Sequence, residues 1–257
     1  MSQTFRHPEI LALARREGKV TVEGLSQAFG VSVQTIRRDL TDLVREGRLE
    51  RVHGGAVLPS GTHTIAYAER RLLNEGAKGA IARQAADLIP NDAALFLGIG
   101  STTEAVARQL TGHSGLLVVT NNLNIATILS GHPKVEVIVT GGSLRPSDGG
   151  LTGPLAQQTV AGLRVDLAIL GCSALDPSGD ILDFDAAEVA VSQLALARAR
   201  RRMLVCDASK LRRTAPLRVA GLDQMEDVVT DAPFPPALVQ RLDPARTRLH
   251  INPNIAP

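Results

Sequence analysis

Gly98-Ile99-Gly100-Ser101-Thr102-Thr103 follows the apolar run ALFLG at residues 94–98 and leads directly into a helical stretch. Glycine lets a backbone approach an anion, the first free N–H groups of the helix point at it, and three hydroxyls can add hydrogen bonds. A phosphate is the natural occupant, with Gly100, Ser101, Thr102 and Thr103 as its contacts. Taken alone, the motif has a plainer reading, because Ser or Thr at a strand-to-helix turn often serves only the helix end. Three further polar loops stand at the same kind of strand end: Asn121-Asn122 after LLVVT, Gly141-Gly142-Ser143-Leu144-Arg145 after VEVIVT, and Ser209-Lys210 after MLVCD. Arg145 and Lys210 supply positive charge, and the asparagines can bind hydroxyls. A small polyol or sugar phosphate fits this set better than a dinucleotide, whose G-x-G-x-x-G fingerprint here has Thr103 in its last place. Singly, Arg145 reads equally as an exposed loop charge, Lys210 as a surface lysine and Asn121 as a turn former.

The acidic segment DPSGDILDFDAAE, residues 176–188, raises general-base chemistry, since carboxylates beside a phosphate can accept protons. Asp185 and Glu188 equally suit the N-terminus of a helix running to Arg202, and that structural role is the favoured expectation. Asp183 is kept as a candidate ligand contact. Arg198, Arg200, Arg201 and Arg202 are expected in the last turn of the same helix, where they complement its dipole.

A second chemistry lies between Val31 and Ala56, in VSVQTIRRDLTDLVREGRLERVHGGA. Ser32 is a good N-cap, and Val33, Ile36, Leu40 and Leu43 recur on one apolar helical face. Gln34, Thr35 and Arg38 therefore point away from the core with Arg37 beside them, offering amides, hydroxyls and guanidinium forks that match base edges and phosphates in a major groove. Gly47 breaks the helix. Arg48 to Val52 alternates as a short strand, and with Arg51, His53, Gly54 and Gly55 it forms a tight wing able to approach a sugar-phosphate backbone.

These residues need elements to hold them. Pro8 to Glu17 and Val22 to Phe29 read as two helices ahead of the third, which together with the wing makes a winged helix-turn-helix over residues 1–58. Linker composition, LPSGTHT, opens a connection assigned to 59–74. Over 75–257, a helix at Glu75 to Ile89 precedes strand-length apolar runs alternating with helical stretches, which implies an α/β domain with a mostly parallel sheet covered on both faces. Ligands of such sheets sit at the carboxyl ends of the strands, where the polar loops fall.

Composition narrows the class further. In 257 residues, 44% are hydrophobic and no apolar run approaches a membrane span, while the first ten residues lack a signal-peptide pattern, so a cytoplasmic protein is expected. Cys172 and Cys206 close apolar runs and are expected as reduced thiols; two cysteines do not make a zinc site, and no metal or cofactor is expected. Net charge is only +2, and all of it lies in residues 1–58, where nine Lys and Arg face seven Asp and Glu. A homo-oligomer, dimer or tetramer, would multiply the cationic contacts to DNA.

Ser32 to Leu40, with Gly47, Arg51, Val52, His53, Gly54, Gly55 and Ala56, resembles the signature of DeoR-type bacterial transcriptional regulators. The likeness covers nearly the whole chain. VTNNLNIA (119–126), TGGSLRPSDGGLTG (140–153), LDFDAAEVAV (182–191) and DASK (207–210) are most similar to the glycerol-3-phosphate regulon branch. The resemblance implies operator binding as an oligomer and release by a phosphorylated metabolite in the C-terminal domain. That domain also resembles the ribose-5-phosphate isomerase fold, in which a G-x-G-S-T loop and an Asp-x-x-Lys segment handle the substrate phosphate; GIGSTT and Asp207, Ser209 and Lys210 are similar to these. No counterpart of the isomerase acid and base is found, which favours a sensor over an enzyme. Asp183-Phe184, in place of a threonine-containing sequence, favours glycerol 3-phosphate as first candidate and leaves other triose or sugar phosphates open. The expectation is thus an operator-binding repressor without enzymatic activity. Its competitors are a sugar-phosphate isomerase or hydrolase fused to a DNA-binding module, and a winged helix used only for protein contacts.

Overall fold

The computed structural model describes residues 3–17, 19–46, 48–52, 54–57 and 74–252. The chain divides into two compact units, residues 1–63 and 64–257. The expected linker lies outside the described residues except for Asn74. Among the described residues, no helix is long and apolar enough to cross a membrane.

The first unit comprises α1 (Gln3–Glu17), β1 (Lys19–Thr21), α2 (Val22–Phe29), α3 (Val33–Arg45), β2 (Glu50–Val52) and β3 (Gly55–Val57). Ile10, Leu11, Leu25, Ile36, Leu40 and Leu43 form its core, as the helical spacing requires. Thr21 starts α2 by accepting the Gly24 N–H at 3.1 Å, and Gly30 ends it at φ +61°, a left-handed turn that favours glycine. Two boundaries differ from the sequence reading. α1 begins five residues before Pro8, which stands as the sixth residue inside the helix and gives up the hydrogen bond its N–H would have made one turn back. β1, three residues long and too short to show alternation, joins the wing in the antiparallel order β1-β3-β2.

The second unit runs α4 (Glu75–Asp87), β4 (Ala94–Leu97), α5 (Ser101–Gln109), β5 (Leu116–Thr120), α6 (Leu123–Leu129), β6 (Val135–Val139), β7 (Ser143–Arg145), β8 (Gly150–Thr152), α7 (Pro154–Ala161) and β9 (Val165–Leu170). It continues through β10 (Ala174–Leu175), β11 (Asp180–Asp183), α8 (Ala186–Arg198), β12 (Ala199–Val205), β13 (Leu217–Gly221), β14 (Asp227–Thr230), α9 (Pro236–Val239) and β15 (Arg248–Ile251). Seven parallel strands form one sheet in the order β15-β14-β12-β9-β4-β5-β6. Alternate side chains enter opposite cores. Leu95, Leu97, Leu167 and Ile169 pack with α4, α5 and α6, whereas Phe96, Ala168 and Leu170 pack with α7 and α8. The chain builds outward from β4 through β5 to β6, then returns to β9 and builds the other way. That reversal leaves a crevice at the carboxyl ends of β4 and β9.

The arginine run differs from its expected place. α8 stops at Arg198 and passes into β12 with no intervening residue, so Arg200, Arg201 and Arg202 stand on a strand. Arg201 pairs with the buried Asp227, and Arg200 lies 3.3 Å from Asp166. Carboxylates on neighbouring strands thus take these cations where a helix dipole was expected. No glycine or proline marks the junction, and sheet pairing overrides the local helical preference.

Candidate functional site

Ser32 caps α3 by accepting the Thr35 N–H at 3.2 Å, and the two hydroxyl oxygens lie 2.9 Å apart. Both residues therefore help to start the helix. Gln34, Arg37 and Arg38 are exposed. In this unit Arg6, Arg16, Arg45 and Arg48 each have a carboxylate partner, but Arg37 and Arg38 meet none among the described residues. Asp39, which follows them in sequence, is turned inward at 1% exposure and is held by Arg6 at 2.7 and 3.1 Å, with His7 Nε2 at 3.6 Å. It cannot neutralise the outward pair.

Arg51 Nη1 donates to Thr41 Oγ1 at 3.3 Å, which ties the wing to α3. Gly54 is exposed at φ +76°. Gly55 is buried for another reason, since a Cβ there would lie 1.9 Å from the Val20 carbonyl oxygen across the β1–β3 pair. His53 lies outside the described residues.

In the second unit, α5 starts at Gly100, with φ +152° and no side-chain cap. The Glu104 N–H is bonded to the Gly100 carbonyl at 3.0 Å, so the N–H groups of Ser101, Thr102 and Thr103 precede the first intrahelical bond. Thr103 is fully buried and its hydroxyl lies 2.7 Å from the carbonyl oxygens of both Gly98 and Gly100, which shapes the loop and commits that proton. Thr102 is also buried, leaving Ser101 as the half-buried hydroxyl of the three. Gly98 packs closely, since a Cβ there would come within 2.6 Å of the Leu170 side-chain tip, which would have to shift.

Asn121 and Asn122, adjacent in sequence, behave differently. Asn122 caps α6 by accepting the Asn124 N–H at 2.9 Å and donates to Glu104 at 3.1 Å, so its amide is used by the fold. Asn121 is 2% exposed and donates to the Leu151 carbonyl at 3.2 Å, but its buried Oδ1 has no hydrogen-bond partner among the described residues. A buried acceptor left unpaired costs about 1–3 kcal/mol. Gly141 is open at φ +70°, whereas Gly142 at φ +111° supports the close approach of the Thr152 carbonyl, 2.4 Å from where a Cβ would stand.

At the end of β12, Asp207 caps a short helical turn carrying Lys210 and accepts from Asn74 Nδ2 at 3.1 Å. Burial pushes the Asp207 carboxyl up, but the charge of Lys210, the Ser209 hydroxyl and the charges of Arg213 and Lys78 hold it below the usual carboxylate range. Three cations thus act on one carboxylate. Lys78, on α4 and 6% exposed, is a further cation that the loop motifs do not point to. Its signal is a lysine on the apolar face of the alanine-rich helix EGAKGAIARQAAD, where a buried charge needs a reason. β12 and β4 are separated by β9, a spacing of about 10 Å at the usual strand separation.

Arg145 occupies a different setting. Its guanidinium is bonded to Asp148 at 2.9 and 2.8 Å, to Asp185 at 2.8 Å and to Glu188. Four of its five N–H groups are therefore committed to carboxylates, and its charge is not available to a ligand in the manner expected. Asp185 also caps α8, accepting the N–H groups of Ala187 and Glu188 at 2.8 and 3.0 Å. Asp183 accepts from Ser173 Oγ at 3.1 Å. Burial and the charge of Asp183 push the Glu188 carboxyl up to about 7 against the pull of Arg145. The acidic segment is thus a knot joining the β7–β8 hairpin to α8.

Known proteins resemble both units. A model described as the DeoR-like helix-turn-helix domain matches residues 6–62, and one described as the DeoR C terminal sensor domain matches residues 73–232. The chain is 40% identical to the glycerol-3-phosphate regulon repressor of Escherichia coli (strain K12) over 251 residues, covering 98% of this chain and 100% of that protein. A protein of the same description from Haemophilus influenzae is also 40% identical, covering 97% of each chain. A solved ribose 5-phosphate isomerase A from Methanocaldococcus jannaschii overlaps 54% of this chain and 55% of its own, with 15% identity and a TM-score of 0.40.

Proposed function

We propose, from the premise that this chain belongs to the DeoR family of helix-turn-helix transcriptional regulators, that it is a repressor released from operator DNA by glycerol 3-phosphate. Relatives matched over nearly their full length are named repressors, so the chain is a regulator and not an isomerase. DNA reading rests on one observation: Arg37 and Arg38 are exposed on α3 without a carboxylate partner among the described residues, while the neighbouring Asp39 is buried against Arg6. Gln34 and Thr35 lie beside them for base contacts, Arg51, Gly54 and Gly55 belong to the wing, and His53 is assigned a backbone contact from the sequence alone. A net charge of +2 per chain gives one copy little hold on DNA, so the protein works as a homo-oligomer in the cytoplasm, each copy taking a half-site.

Replacing Arg37 and Arg38 together with alanine is expected to weaken operator binding about 10- to 100-fold and to flatten its salt dependence. The check is a salt-resolved titration on operators selected from random DNA by the wild-type protein. Unchanged affinity would remove both arginines from the interface.

For the effector, the phosphate is placed on the free N–H groups and Ser101 hydroxyl of α5, with Lys210 and Lys78 supplying charge. A carbon-chain hydroxyl donates to Asn121 Oδ1, relieving its unpaired burial, while Asn122, Gly141, Gly142, Arg145 and Asp183 shape the pocket behind those contacts. Release of DNA requires the ligand to bind the released state more tightly, since equal affinity shifts nothing. Calorimetry with glycerol 3-phosphate is expected to show affinity losses of about 10- to 100-fold for Lys78→Ala and for Lys210→Ala, the size of a charge-assisted hydrogen bond. Full affinity in either variant would take that lysine out of the site.

A further inference from the structure

Strands β9 and β12 run parallel, with Leu170 opposite Leu204. Two residues further along each strand stand Cys172 and Cys206, both free thiols, Cys206 buried and Cys172 partly exposed. The strands stay side by side beyond the last ladder pair, because a Cβ on Gly171 would lie 3.9 Å from the Val205 carbonyl. Cys206 belongs to the same core as Leu170 and Leu204, and Cys172 packs against that core, so both thiols face one side of the sheet. Neighbouring strands lie about 4.8 Å apart, inside the range of about 4.4–6.8 Å that a disulfide spans between Cα atoms.

We propose that Cys172 and Cys206 form a reversible intramolecular disulfide on oxidation by hydrogen peroxide, and that this bridge closes the ends of β9 and β12 beside the phosphate pocket. The partly exposed Cys172 reacts first. The Cys172 thiol gives up its proton, its thiolate attacks the O–O bond, and the departing hydroxide takes up that proton, giving a sulfenic acid at Cys172 and one water. The Cys206 sulfur then attacks the Cys172 sulfur, and the departing hydroxide leaves with the Cys206 proton as a second water. Two thiols and one peroxide thus become one disulfide and two waters. A hydrogen bond with Cys172 and burial push the Cys206 thiol well above its ordinary value, which suits the resolving role better than first attack. The bridge acts on the residues next to it. Ser173 bonds Asp183 at 3.1 Å on one side, and Asp207 gathers the charges of Lys210 and Lys78 on the other.

The test uses the full chain, reduced and then treated with graded hydrogen peroxide. Non-reducing peptide mapping is expected to find residues 172 and 206 linked, with an intact mass lower by two hydrogens and full reversal by dithiothreitol. In Cys206→Ser, a dimedone adduct at Cys172 is expected instead. Wild-type protein that accumulates sulfinic acid at Cys172 with Cys206 still a thiol, or keeps both thiols, overturns the proposal without reliance on any variant. The effect on sensing rests on the effector reading above: glycerol 3-phosphate should bind the bridged form at least tenfold more weakly. Equal binding to both forms overturns that coupling. Binding to neither form defeats the effector reading, while the linked peptide still decides the disulfide.

Discussion

Asp39→Ala should destabilise the DNA-reading unit by about 3–5 kcal/mol while leaving the sensor domain as stable as before. Asp39 is 1% exposed and its main partner Arg6 is 7% exposed, joined by two hydrogen bonds of 2.7 and 3.1 Å between α1 and α3. Removing one partner of a buried ion pair strands the other charge in a medium that solvates it poorly, at a cost of about 3–5 kcal/mol. A unit of some sixty residues has about 3–9 kcal/mol in total at the usual stability per residue. The substitution therefore consumes between about a third and all of it. Urea unfolding followed by circular dichroism should split into two transitions, with operator binding lost at concentrations where ligand binding persists. Replacing both partners by apolar residues, Arg6→Met with Asp39→Leu, should restore most of the stability, because the desolvation penalty disappears with the pair. A single unshifted transition in Asp39→Ala would contradict the account.

Arg145→Ala is expected to destabilise the sensor domain by about 3–5 kcal/mol at pH 8 and by distinctly less at pH 5. The guanidinium lies among Asp148, Asp185 and Glu188, with Asp183 close enough to raise Glu188. Without it, these carboxylates face one another, and protonating Glu188 is the readiest relief. The sign follows from linkage. A carboxyl raised to about 7 in the folded chain, from an ordinary 4.5, stabilises the fold fully below the ordinary value, and that contribution is lost as pH rises through about 7. Wild-type stability should already fall between pH 5 and 8 from this group, and Glu188→Gln should flatten that slope. A Glu188→Gln variant with an unchanged slope would assign the pH dependence elsewhere.

Much of the architecture is legible in the sequence because its period is strong. The apolar spacing of α3 places Ile36, Leu40 and Leu43 in the core and Arg38 outside, and strand-length apolar runs separated by helices give the parallel sheet. What stays hidden depends on contacts distant in sequence. Nothing local tells Asn121 from Asn122, although one keeps an unpaired buried oxygen and the other caps a helix. Arg145 reads as a ligand cation until Asp185 and Glu188, forty and more residues later, are seen to surround it. Gly55 reads as a wing glycine, yet the atom that forbids a side chain there belongs to Val20. Lys78 is hidden for the same reason, since Asp207, whose carboxylate its charge helps to stabilise, lies more than a hundred residues away.

The order of the sheet also sets a sequence of events during synthesis. The DNA-reading unit is built from the first 63 residues, whereas β15, the edge strand that pairs with β14, comes from Arg248–Ile251. At usual elongation rates the two are separated by about 10–40 s, and parallel pairings between distant segments are slow to form in any case. A nascent chain therefore completes its helix-turn-helix unit well before its sensor domain. Newly made chains thus expose a finished reading surface that as a single copy holds DNA weakly, and the regulator is complete only as the last strand joins the sheet.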